Sequence, residues 1–166
     1  MHINVLWMEP IFAHSNFSNL YGPSTQLNIE PSLGTARQLH QLMNTAKQDG
    51  IHVVFDLVPH GLPLDSPLVS SHPQWVIRTR TGALGQAWGE YALNYFSPGW
   101  ENYMRCVAEY WSAHYGVAGA RIDIGNGSSA AANWAAGNER PSNSDLAGGL
   151  MMEQSIRQRV KQVSSL

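Results

Sequence analysis

Arg121 and Asp123 stand two residues apart in the short apolar run Gly119-Ala120-Arg121-Ile122-Asp123-Ile124, so in a strand both side chains lie on one face. Two charges on the inward face of an apolar strand are costly unless they pair or do chemistry. A second carboxylate, Asp56, lies near the end of the run Ile51-His52-Val53-Val54-Phe55-Asp56-Leu57-Val58, and Glu9 follows a third run, Ile3 to Met8. Carboxylates gathered at one end of a set of strands, with an arginine to keep one ionised, are what glycosidic bond cleavage requires. One serves as nucleophile or base and another as acid. The same spacing also suits a purely structural use, in which Asp56 and Asp123 cap loop backbones and pair with Arg121.

The elements that must position these groups can be read in order. Ile3 to Met8 is almost continuously apolar and closes at Glu9-Pro10, which predicts a buried strand covered on both faces. A polar loop follows from Ala13 to Ser32. Thr35 can cap a helix whose apolar positions Leu39, Leu42, Met43 and Ala46 recur at steps of three and four, and Gly50 stops it. Ile51 to Val58 is a second strand of the buried type, so strand, helix and strand with short joints make a βαβ unit and a parallel sheet. Pro59 to Ser97 holds no clear helix and is punctuated by Pro63, Pro67, Pro73, Gly82, Gly85 and Gly89. This excursion at about 59–97 follows the carboxyl end of a parallel strand, where ligands bind in α/β sheets and barrels. Ser97-Pro98 opens a helix with the stripe Trp100, Tyr103, Met104, Val107 and Trp111, as far as Gly116. A strand over 118–124 comes next, then a small-residue stretch from Gly125 to Gly149. A last helix runs from about Asp145 or Leu150 to Val163, with Ile156, Val160 and Val163 inward and Arg157, Arg159 and Lys161 on a solvated face.

Three strands, each followed by a helix, make half of something. An eight-stranded (β/α) barrel needs roughly 250 residues, and three parallel strands alone would leave long apolar edges unpaired. The pattern therefore predicts an α/β chain that is a partial (β/α)8 TIM barrel, residues 1–166 forming one barrel segment incomplete at both ends. The remainder of the barrel is needed for closure.

Composition narrows the function classes. A formal net charge of −2 and 13% charged residues give no reason to invoke nucleic acid, and no apolar run is long enough to span a membrane. Six Trp and six Tyr are many for this length; they suit a cleft that stacks sugar rings, and equally a core. The single Cys106 excludes an internal disulfide and a Cys-based zinc site, and leaves the compartment open.

Four ordered segments then carry a family resemblance: Leu6-Trp7-Met8-Glu9-Pro10-Ile11-Phe12, Pro31-Ser32-Leu33-Gly34-Thr35, Gly50 to Pro59, and Gly116-Val117-Ala118-Gly119-Ala120-Arg121-Ile122-Asp123. Together they resemble the α-amylase superfamily, glycoside hydrolase family 13, over most of residues 3–124. His72-Pro73-Gln74-Trp75 and Tyr110-Trp111 also look like members of it. The resemblance implies barrel strands two to four, with Asp123 as the nucleophile of a retaining glycosidase or transglycosylase on α-linked glucans or oligosaccharides. It implies that Arg121 keeps that nucleophile ionised and that Asp56 is a supporting, substrate-binding aspartate. It places the proton donor on strand five and a third carboxylate after strand seven, both beyond this chain, so the isolated segment is expected to be incompetent.

The departures are specific. The family reads Asp-x-x-x-Asn-His after strand three, whereas here Asp56-Leu57-Val58-Pro59 is followed by His60-Gly61. His60 either contacts a sugar hydroxyl from one residue earlier or is an ordinary loop histidine. Without the asparagine, the calcium site of many relatives has no support, and no cofactor is expected. Asn126-Gly127 replaces the Lys-His often seen after the nucleophile. Glu153 falls in the last helix and is not placed as the acid. Two rival readings stand beside this one. Gly125-Asn126-Gly127-Ser128-Ser129-Ala130 has the form of a dinucleotide fingerprint, but Arg121 and Asp123 do not suit the strand before it. A non-catalytic remnant would bind carbohydrate through Trp75, Trp88 and Trp134.

Overall fold

The computed structural model describes residues 2–15, 19–79, 81–123 and 145–163. Three parallel strands form the central sheet: β1 (Val5–Met8), β2 (His52–Leu57) and, after five further elements, β6 (Gly119–Ile122), in the order β1-β2-β6. Helix α1 (Ala36–Gln48) joins the first two strands. It begins where the sequence places it: the Thr35 hydroxyl accepts from the Gln38 amide, and the Gln38 side chain accepts from the Thr35 amide. This reciprocal cap satisfies donors that a helix start leaves open. Leu39, Met43 and Ala46 are buried on the sheet side, while Leu42 lies at the margin.

The excursion after β2 carries structure of its own. It holds a three-stranded antiparallel sheet of β3 (Gly61–Pro63), β4 (Gln86–Ala87) and β5 (Glu90–Ala92), in the order β3-β5-β4. It also holds the five-residue helix α2 (Pro67–Ser71), where the sequence reading saw no helix, because one turn capped by Ser66 is too short to show a period. Chain direction then returns through α3 (Pro98–Tyr115), whose Trp100, Met104, Val107 and Trp111 are buried and whose end is turned by Gly116 at φ 71°. The last described element, α4 (Asp145–Val163), packs on α3 through Met152 and Ile156. Arg159 is not simply solvated there: it pairs with Glu109 at 2.7 Å.

One expectation is corrected. The apolar strand β1 is not covered on both faces, since Val5, Leu6 and Trp7 are all exposed and Trp7 retains 51% of its surface. Among the described residues β1 pairs only with β2. At the opposite edge, an apolar groove of about 520 Å³ runs between β6 and α4, lined in part by Ala118, Ala120, Ile122, Ile156 and Val160. The described strands thus form an open arc with apolar edges, not a closed barrel.

A buried amide fastens the segment that carries the carboxylates. The Gln26 side chain donates to the Val58 carbonyl at 2.7 Å and accepts from the Val58 amide at 3.0 Å, taking the place of a neighbouring strand. Its own backbone is held in turn: the amide donates to the Tyr103 hydroxyl and the carbonyl accepts from Trp111. Gln26→Leu would leave two buried backbone groups without partners. Its expected cost is about 2 kcal/mol, read as a lower urea midpoint at unchanged slope. An unchanged midpoint would show that solvent reaches Val58.

Candidate active site

Parallel pairing decides which charges meet. In the β2–β6 register Asp56 lies directly opposite Arg121, so the two share a face at the carboxyl ends of their strands, and Asp123 follows as the chain leaves β6. The Arg121 guanidinium reaches both carboxylates at once, with Nη1 2.7 Å from Asp56 Oδ2 and 2.7 Å from Asp123 Oδ1. The Tyr21 hydroxyl donates to Asp56 Oδ2 at 3.1 Å. On the far side of Asp123, His60 Nε2 stands 3.2 Å from Oδ2. The Arg121 guanidinium carbon also sits 5.7 Å from the centre of the Trp7 ring. Glu9 is exposed, and its field adds to the upward push on Tyr21.

The two aspartates are driven apart electrostatically. Asp56 is fully buried and its Oδ1 has no hydrogen-bond partner among the described residues. Burial pushes its carboxyl above the ordinary value, and Arg121 and Tyr21 only partly oppose the push. Burial raises Asp123 as well, but His60 and Arg121 together outweigh that effect and hold it below the ordinary value. Glu90 is pushed up by burial, with His60 opposing and Asp123 adding to the push. One carboxyl favoured as anion beside others favoured as acids is the pattern that separates catalytic roles.

Stability follows from these directions. Asp56 and Glu90 hold protons in the folded chain that the unfolded chain has released, so their contribution is lost as pH rises through their raised values. Asp123 contributes above its ordinary value and loses that contribution as pH falls through its depressed one. The three groups together are expected to give a stability maximum near pH ~4, measurable by urea unfolding at a series of pH values. A profile flat above that maximum would place Asp56 and Glu90 in solvent.

Trp88 and Gly89 form the two-residue turn of the β4–β5 hairpin, with φ of 52° and 82°. Such a turn needs both residues in the left-handed region, which glycine adopts freely and tryptophan at a cost of about 1 kcal/mol or more. The Trp88 ring is 66% exposed and meets His60 edge to face, 5.9 Å between centres. Trp75 is different: it is buried against Trp100 and Tyr103 and seals the core under the excursion, so it offers no sugar platform. Trp134, Asn126-Gly127 and the Gly125–Ala130 fingerprint lie outside the described residues, as does the side chain of Val163. Glu153 is exposed on α4.

The model of the α-amylase catalytic domain matches residues 1–61. Alpha-amylase 2 of Dictyoglomus thermophilum is 25% identical over 139 residues, covering 75% of this chain and 24% of that protein. Trehalose-6-phosphate hydrolase of Escherichia coli is likewise 25% identical, with 75% and 28% covered. Among solved structures, an α-amylase from Lactobacillus plantarum superposes with a TM-score of 0.67 at 26% identity, covering 74% of this chain and 31% of that one. An α-amylase from H. orenii reaches 0.76 at 20% identity, covering 97% and 36%.

The chain resembles the α-amylase superfamily over about three quarters of its length.

It spans about a quarter of the length of the curated relatives it matches, and its fold is part of the α-amylase TIM barrel. Of the candidate site residues, the fold brings Asp56, Arg121, Asp123 and His60 into one contact network and sets Trp88 at its rim. Tyr21 and Glu90 belong to the same network and carry no local signal: each is one polar residue in a loop or hairpin far along the chain from its partner. His60 takes the asparagine position of the family pattern, with its ring 3.2 Å from Asp123.

Proposed function

We propose that this chain supplies the nucleophile half of a retaining glycoside hydrolase or transglycosylase acting on α-glucosidic bonds of glucans or oligosaccharides. The observation that carries the reading is Asp123, held ionised at the end of β6 by Arg121 on one oxygen and His60 on the other. In the reaction an Asp123 oxygen attacks the anomeric carbon while the glycosidic bond breaks, its electron pair passing to the leaving oxygen, which takes a proton from an acid. Water or a sugar hydroxyl then attacks the same carbon and releases Asp123. Retaining enzymes keep nucleophile and acid about 5 Å apart with the sugar bond between them.

Glu90 does not meet that requirement, because His60 occupies the space between it and Asp123. The acid and the third carboxylate are therefore assigned to barrel strands beyond this chain, and the segment alone is expected to lack turnover. The substrate class rests on the relatives, which include an α-amylase, a trehalose-6-phosphate hydrolase and a cyclomaltodextrinase. Asp56 and His60 line the sugar site in this reading. Trp88 forms its stacking wall beside a cavity of about 390 Å³ that Asn19, Asp65 and Glu90 also line. The test is to trap the glycosyl-enzyme with a slow 2-fluoro-glucosyl donor in the complete barrel and to locate the added mass by peptide mapping. An adduct on Asp123 is the expected result. Oligosaccharide binding with neither adduct nor turnover would instead favour the non-catalytic remnant.

A further inference from the structure

Glu90 is the ionisable group of this network that the proposed reaction leaves unused. The Trp88-Gly89 turn and the pairing of Pro63 with Glu90 set it on β5, facing the start of β3. Its Oε2 is buried, makes no hydrogen bond among the described residues, and lies 3.7 Å from His60 Nδ1. The space it occupies exists because residue 61 is glycine: a Cβ there would come within 2.2 Å of Oε2 and 3.3 Å of the Glu90 Cβ. The same position, Gly61, is where the family pattern has a histidine. His60 is thereby met by four neighbours. Asp123 faces Nε2, Glu90 faces Nδ1, the Trp88 ring lies against it, and its carbonyl accepts from the Leu93 amide at 3.1 Å.

We propose that Glu90 is a positioning residue for Asp123: its carboxyl, seated over Gly61, holds the His60 ring so that Nε2–H stays directed at the nucleophile. The chemistry is consistent in either state of the pair. Where the ring is an imidazolium, a Glu90 carboxylate attracts Nδ1–H and the second proton sits on Nε2; where it is neutral, a protonated Glu90 carboxyl presents O–H to a bare Nδ1, which again leaves the ring proton on Nε2. Burial, which favours the protonated form of Glu90, makes the second arrangement accessible. Around His60 the other charged or titratable groups are Arg121 and Asp56, beyond Asp123, and Tyr21, beyond Asp56.

The consequence for catalysis rests on Asp123 being the nucleophile, but the coupling belongs to the folded chain and can be read without substrate. The experiment is a carboxyl carbon-13 NMR titration of the full chain in its unsubstituted form, as Glu90→Gln and as Gly61→Ala. A glutamine amide can offer Nδ1 either an oxygen or an N–H, so it no longer dictates which nitrogen of His60 carries the proton. The Asp123 midpoint is expected to move up in both variants, while the Asp56 midpoint, set by its own burial and opposed by Arg121 and Tyr21, stays in place. If Glu90 were only a neighbouring negative charge, its removal would move the Asp123 midpoint down. A downward or absent shift in Glu90→Gln overturns the proposal, and because glutamine has nearly the same volume that variant decides the matter even where Gly61→Ala fails to fold. A positive titration combined with no adduct on Asp123 would keep the coupling and discard the nucleophile.

Discussion

Asp123→Asn in the complete barrel enzyme is expected to lower turnover of α-glucosidic substrates on the order of 10⁴-fold or more and to abolish the trapped glycosyl adduct. An amide has no charge to donate to the anomeric carbon, and the remaining groups cannot form the covalent bond that splits the reaction into two steps. The fold should survive, because asparagine keeps the shape of the side chain and its one oxygen can still accept from Arg121. Steady-state rates and intact-protein mass after exposure to the slow donor check both halves. Turnover within a few fold of the unsubstituted enzyme would remove Asp123 from the mechanism.

Arg121→Met has its largest effect on stability. The arginine is half exposed, but one of its partners is not: Asp56 is fully buried, and its carboxyl relies on Arg121 and Tyr21. Removing the cation leaves the buried carboxylate with the Tyr21 hydroxyl but no opposite charge, a loss of about 3 kcal/mol at neutral pH. The sign with pH is the second half of the expectation. Asp56 already sits above its ordinary value because of burial, and without Arg121 it rises further. The variant should therefore be least destabilised at acid pH, where Asp56 is protonated in both folded and unfolded chains, and progressively more so as pH rises. Urea unfolding at acidic and neutral pH measures this. Equal destabilisation at both would mean that Asp56 does not carry the effect.

The network has a simple electrostatic logic. One guanidinium serves two carboxylates, and the desolvated one cannot keep its proton off as readily as the one that also meets His60. Arg121 therefore ties the more buried group and the less buried one to a single cation. Trp88 is strained and exposed at a hairpin tip, its ring centre 5.9 Å from that of His60.

How far all this could be read from residue order depends on the distance over which each interaction acts. Helix α1 was legible because its cap, its apolar period and its terminating glycine lie within one stretch, and α3 because Pro98 and Gly116 bracket a single stripe. The parallel alternation of strand and helix, and the shared face of Arg121 and Asp123, follow from periods of 3.6 and 2 that any chain must obey. Register is another matter. That Asp56 lies opposite Arg121, that Tyr21 reaches Asp56 across 35 residues, and that Gln26 replaces a strand beside Val58 are settled by how the excursion and the helices pack. Glu90 joins the site only because a two-residue turn and the absent side chain of Gly61 place it there. The exposure of β1 separates the two kinds of information. Local residue order determined that Val5, Leu6 and Trp7 want burial, since hydrophobicity is a property of each side chain. Whether they are buried was decided by which neighbours the fold provides, because burial belongs to the assembly of elements and not to any one of them.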